Sequence, residues 1–130
     1  MIRLILILAV ISLSACTTVS SSEKSTVRLT EADAGSSKEL HLGDTLEVTL
    51  PGNPTTGFQW EIKSVDADIL QSIGEQHFEP SNNAVGSGGM VTLSFEAIAL
   101  GQTKLELIYH RPFEKNVAPS QTFVVTVTVK

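Results

Sequence analysis

The chain has 130 residues, with nine Lys and Arg against fourteen Asp and Glu, a formal net charge of −5 and few aromatics. That length fits one domain of ordinary size. The acidic balance and the lack of a basic run exclude a phosphate-backbone binder, which needs a Lys/Arg-rich face, so nucleic acid is not an expected partner.

The first residues read as an export signal rather than as fold. Met1-Ile2-Arg3 is a short basic start, and Leu4 to Leu13 is almost unbroken apolar sequence. That run is too short to span a bilayer comfortably. It ends in Leu13-Ser14-Ala15-Cys16, with a Cys where a soluble secreted protein has an ordinary cleavage site. The layout resembles the bacterial lipobox. Residues 1–15 are therefore expected to be a signal peptide, with Cys16 lipidated as the first mature residue. The alternative is a plain signal peptide followed by an idle Cys. Cys16 is the only cysteine, so no intrachain disulfide is possible, and a thioether-linked lipid would remove the lone thiol. Thr17 stands where Asp would signal inner-membrane retention, which favours the outer membrane facing the periplasm. Loss of Arg3 makes the mature chain more acidic still, so acyl chains rather than charge must hold it. Residues 16–25, rich in Ser and Thr, read as a flexible tether. The domain is expected over 26–130.

From there the dominant period is two. Short strands are expected at Val27–Leu29 and Glu39–Leu42. In DTLEVTL, Leu46, Val48 and Leu50 alternate with polar neighbours, and in FQWEIK, Phe58, Trp60 and Ile62 do the same. A helical turn is expected around Ala67–Ser72, then a short strand at Gln76–Glu79. Val91, Leu93, Phe95 and Ala97 share one face of MVTLSFEA, as do Leu105, Leu107 and Tyr109 of TKLELIYH. Phe123, Val125, Val127 and Val129 close the series in TFVVTVTV. Such alternation belongs to antiparallel sheets with one wet side, and Gly, Pro, Asn, Asp or Ser mark the breaks. Seven or eight short strands predict an all-β, immunoglobulin-like β-sandwich without its hallmark disulfide. Trp60 is the expected centre of the core.

Three connections depart from generic turn chemistry. In Asn53-Pro54-Thr55-Thr56-Gly57-Phe58, Pro54 fixes its own φ and pushes Asn53 out of the helical region. Asn53 can hydrogen-bond nearby backbone, and Gly57 can take a positive φ. Thr55 and Thr56 are left presented between two stiff ends, or are merely solvated in a tight strand connection. Gly86-Ser87-Gly88-Gly89 removes side chains and exposes backbone for close approach, or is a floppy loop. It is a poor phosphate cradle, because no Lys or helix start follows. Arg111-Pro112-Phe113 combines residue types that bring contact area at low entropic cost, unless Phe113 folds back onto the core. Strand counting puts these segments at the B–C, D–E and F–G connections of a Greek-key sandwich, side by side on one rim.

Other residues offer little chemistry. His41, His77 and His110 lie on three separate expected strands without ligand spacing, so no metal or other cofactor is expected. His110 adjoins Arg111 and could touch a partner, or could be an ordinary strand-end histidine. Glu114 and Lys115 read as solvated loop charges. There is no Gly-x-Ser-x-Gly elbow and no free Cys nucleophile once Cys16 is lipidated, so an enzyme is not expected.

NPTTGF, GSGG and RPF, in this order, resemble the three signature loops of the chagasin-like inhibitors of cysteine peptidases. The resemblance covers residues 26–130. It implies an immunoglobulin-like fold and reversible, non-covalent inhibition of papain-like cysteine peptidases. It also implies roles: Thr55 and Thr56 would enter the active-site cleft near the catalytic Cys and His. The 86–89 backbone would lie along one side, and Arg111 to Phe113 would brace the other. The family often has Trp where this chain has Phe113, which implies a weaker anchor. The chain is expected to act as a monomer. A different reading remains open: a non-inhibitory immunoglobulin-like lipoprotein module whose loops bind another envelope protein or a saccharide.

Overall fold

The computed structural model describes residues 14–18 and 23–130. Most of the expected signal peptide, residues 1–13, and residues 19–22 of the expected tether lie outside them. The described residues form nine strands: Thr26–Leu29 (β1), Ser37–Leu40 (β2), Thr45–Gly52 (β3), Gln59–Ser64 (β4), Leu70–Ser72 (β5), His77–Pro80 (β6), Gly89–Ala97 (β7), Gly101–His110 (β8) and Gln121–Val129 (β9). One sheet runs β1-β3-β7, with β5 and β6 both pairing with β7; the other runs β2-β9-β8-β4. The predicted sandwich is present.

The period-two pattern is the physical basis of the two layers. Leu46, Val48 and Leu50 of β3 face Leu105, Leu107, Phe123, Val125 and Val127 across one core, and all are almost fully buried. Their polar neighbours remain on the wet faces, as sheets covered on one side require. Trp60 is 2 % exposed and donates its Nε1–H to the Pro51 carbonyl at 3.0 Å, so its one polar atom is satisfied inside the core.

Three expectations need correction. The segment 67–72 is not helical throughout: one turn, closed by the Leu70 N–H donating to the Asp66 carbonyl at 2.9 Å, leads straight into β5. Leu70 is fully buried and pairs with Ala97. A strand of three residues is too short to display a period of two, and its partner is distant in sequence. The sheets are also not wholly antiparallel. β1 runs parallel to β3, and β2 parallel to β9. The chain first crosses from one sheet to the other, between β1 and β2, through a tight turn at Glu31–Asp33, where the Thr30 N–H donates to the Asp33 carboxylate at 2.9 Å. The second strand is displaced from the expected Glu39–Leu42 to Ser37–Leu40.

Asp44 ties the base of the sandwich together. Its carboxylate accepts the backbone N–H groups of His41 at 2.8 Å and Ser25 at 3.0 Å. These bonds hold its pKa below the ordinary carboxylate range. A lowered folded-state pKa contributes stability above the unfolded value of about 3.9 that is lost as pH falls through the folded value. Asp44→Asn should therefore destabilise the fold by about 1 kcal/mol at pH 7. In urea melts, the gap between variant and parent should shrink as pH falls from about 5 to about 2.

Candidate functional site

The connections β3–β4, β6–β7 and β8–β9 emerge at the same end of the sandwich, and they carry the three loops singled out in the sequence. Backbone pairing fixes this: Gly52 at the end of β3 pairs with Gly89 at the start of β7, and Gln59 at the start of β4 pairs with His110 at the end of β8. All thirteen candidate rim residues are brought together.

Asn53 organises the first loop. Its Oδ1 accepts from the Thr55 backbone N–H at 3.1 Å and from Thr55 Oγ1 at 2.6 Å. Its Nδ2 donates to the Gly86 carbonyl at 3.0 Å, which ties the first loop to the second. Its own backbone N–H donates to the Tyr109 hydroxyl at 2.8 Å. Pro54–Thr56 form one 3-10 turn, closed by Gly57 at φ 81°. Pro54 suits the first position of that turn because its missing N–H would have no partner there. The Thr56 hydroxyl donates to the Asn53 carbonyl at 2.6 Å. Both threonine hydroxyl protons are thus used internally, and both side chains remain exposed at the tip.

Arg111 joins the third loop to the first. Its Nε donates to the Thr56 carbonyl at 3.0 Å, and its guanidinium lies 4.3 Å from the centroid of the Phe58 ring. A second guanidinium nitrogen donates to Glu114 at 3.0 Å. Glu114, read from sequence as a solvated charge, is half-buried and orients this arginine; Lys115 is exposed. Phe58 stacks on Tyr109 with centroids 5.2 Å apart, and Tyr109 packs on Trp60 at 5.1 Å. The rim therefore stands on an aromatic column rooted in the core. Phe113 does not fold into the core: it is 70 % exposed and leans over Gly57, where a Cβ would stand only 2.9 Å from its ring. Gly57 serves both the left-handed turn and this close approach. Pro112 is exposed beside it.

In the second loop Gly86 is exposed, Ser87 and Gly88 are half-buried, and Gly89 is buried against β6. Gly88 lies beside Gly52 and Asn53. Each histidine sits beside a different carboxylate: His41 by Asp44, His77 by Glu79, and His110 by Glu61. Among the described residues no three His, Cys, Asp or Glu side chains gather to hold a metal. Tyr109 is the supporting residue that pattern reading missed. Its strand alternation marked it as core, and nothing local shows that its hydroxyl reaches a loop 56 residues away.

The model of a family described as "Chagasin family peptidase inhibitor I42" matches residues 39–127, more than half of the chain and all three loops. The chain belongs to the chagasin family of peptidase inhibitors. Amoebiasin-1 of Entamoeba histolytica is 30% identical over 104 residues, spanning 78% of this chain and 98% of the relative. Chagasin of Trypanosoma cruzi is 28% identical over 102 residues, spanning 75% of this chain and 93% of the relative. A solved cysteine protease inhibitor from Entamoeba histolytica shares the fold, with a TM-score of 0.74 at 24% identity, covering 82% of this chain and 97% of that one. This chagasin-family protein is an inhibitor of cysteine peptidases and not an enzyme.

Proposed function

We propose that this inhibitor seats its rim in the active-site cleft of a papain-like cysteine peptidase, reversibly and as a monomer. The observation that carries the reading is the cross-bracing of the three loops. Asn53 holds the first to the second, Arg111 holds the third to the first, and Thr55 and Thr56 stay exposed between them. A braced rim loses little conformational freedom on binding, so more of its contact energy remains as affinity. The threonine tip fits a slot between enzyme walls. Its peptide bonds are wound in a 3-10 turn, unlike the extended backbone of a substrate, so the tip fills the cleft without presenting a bond in attack geometry. The backbone at Gly86–Gly88 supplies carbonyl and N–H groups along one wall. Exposed Pro112 and Phe113 supply apolar contact on the other, with Arg111 holding their loop in place.

The reading extends to location. The apolar run ending in Leu13-Ser14-Ala15-Cys16 supports export and lipid anchoring on Cys16, which is exposed. Thr17 at the next position supports the outer membrane, facing the periplasm.

Titration of the domain without residues 1–21 against papain, with a fluorogenic peptide as reporter, tests the inhibitory reading. Inhibition that is relieved on dilution, with the inhibitor intact by mass, is expected. Thr55→Ala should raise Ki about tenfold, equivalent to about 1.4 kcal/mol, without altering the melting temperature by more than a degree or so. A folded domain that leaves papain untouched, or one that is cleaved as a substrate, would count against it.

A further inference from the structure

Among the described residues, the large hydrophobic side chains that remain exposed divide between the two ends of the sandwich. Val85, Met90, Phe113 and Val117 lie at the rim; Leu42, Ile98 and Leu100 are 52 %, 42 % and 64 % exposed and lie at the opposite pole. Backbone hydrogen bonds gather this second group. The Leu42 N–H donates to the Lys130 carbonyl at 3.2 Å, the Gly43 N–H to Ala97 at 2.8 Å, and the Ile98 N–H to Ile69 at 2.9 Å. The peptidase reading uses the first group and leaves the second without a partner.

The N-terminal segment enters the fold at this same pole. β1 runs parallel to β3, Thr26 pairs with Thr45, and the Thr45 N–H donates to the Ser25 carbonyl at 2.8 Å. Cys16 lies ten residues before β1, and ten residues span at most about 35 Å. We infer that the pole carrying Leu42, Ile98 and Leu100 rests on the lipid surface to which Cys16 is anchored, so that the inhibitory rim points away from the membrane. The inference depends on the lipid-anchor reading given above.

The contact is apolar rather than electrostatic. Lys24 is paired with Glu96 and Lys130 with Glu39, and Asp66 and Asp68 lie in the turn before β5. Such a surface is not drawn to anionic headgroups, and three side chains alone would bind a bilayer weakly. Tethering alters that balance, because an anchored domain meets the bilayer at a high effective concentration. The ten residues of β8 run from this pole to the rim, a length of about 33 Å. The rim therefore stands clear of the headgroups, where a peptidase can reach it.

The test uses the full chain, expressed with its signal in a bacterial host and reconstituted into phosphatidylcholine vesicles with brominated or ordinary acyl chains. Leu100→Trp and Val117→Trp each add one exposed indole, at the pole and at the rim, to the buried Trp60. In the acylated chain the added Leu100→Trp fluorescence should fall at least twofold in brominated vesicles, while Val117→Trp and the parent change little. An acylated chain that floats with vesicles but shows no Leu100→Trp quenching would overturn the contact and leave the anchor standing. A chain without acyl groups by mass would overturn both. A Leu100→Trp blue shift without vesicles, accompanied by dimerisation, would assign the pole to a second copy and also overturn the contact.

Discussion

Gly88→Glu is expected to weaken inhibition of papain about a hundredfold or more, equivalent to about 3 kcal/mol, while the domain remains folded. A Cβ at this position would lie 3.5 Å from the Gly52 carbonyl oxygen and 3.8 Å from Asn53 Cβ, which is ordinary contact. The Gly88 carbonyl still accepts the Ser81 N–H at 3.0 Å, a bond a side chain does not touch. The fold therefore has no reason to reject the substitution. A peptidase wall would, because in the proposed mode the rim meets it there by close backbone approach. A Glu side chain holds the wall off by several ångström and adds a further negative charge to a chain of net charge −5. Gly88→Ala adds only a methyl group and should have a much smaller effect. Measured inhibition constants, beside melting curves that overlay the parent, check the expectation. A Gly88→Glu domain that inhibits like the parent would remove the second loop from the contact.

Trp60→Ala is expected to produce the largest loss of stability, about 3–5 kcal/mol. The side chain is 2 % exposed and backs the Tyr109 ring. Its removal opens a cavity and leaves the Pro51 carbonyl without its indole donor. Domains of this size have about 5–15 kcal/mol in total, so the melting temperature should fall by roughly 15–20 °C. The effect should reach the rim as well. Tyr109 would lose its backing, and with it the fixed hydroxyl that accepts the Asn53 N–H and the ring on which Phe58 stacks. Inhibition by the variant should weaken even at temperatures where it stays folded. Trp60→Phe separates the two contributions, since it keeps most of the volume and loses the N–H. Chemical denaturation and papain titration at about 15 °C provide both readouts. A Trp60→Ala domain that melts like the parent would mean that the core does not rest on this side chain.

The long strands were legible because each repeats its pattern over seven or more residues. Leu46, Val48 and Leu50 alternate cleanly, and so do the apolar positions of β7, β8 and β9, all of which the fold buries. β5 was not legible, because three residues show no period and its pairing with Ala97 is set by the sandwich closing over Leu70. The parallel pairing of β1 and β2 was hidden for a related reason. A strand of four residues does not announce its partner, and the crossing between sheets is held by bonds within the turn at Thr30–Ser36 and by the Gly35 N–H, which donates to the distant Val124 carbonyl.

The rim divides in the same way. Pro54 acts through its fixed φ, and Gly57 and the glycines of 86–89 through their backbone freedom, so the residues alone mark where the unusual loops lie and how stiff the first one is. The same sequence holds a lone cysteine, and with it a core held without a disulfide. What braces the loops emerges only once the sheets are assembled. Asn53 reaches Gly86, Arg111 reaches Thr56, and the Tyr109 hydroxyl reaches Asn53, across separations of 33, 55 and 56 residues. The local chemistry of Arg111 was equally consistent with a free contact residue, and that of Glu114 with a solvated charge. A hydrogen bond depends on distance and direction in space, and the pairing of β3 with β7 and of β4 with β8, strands distant in sequence, is what brings these donors and acceptors within 3 Å or so of one another.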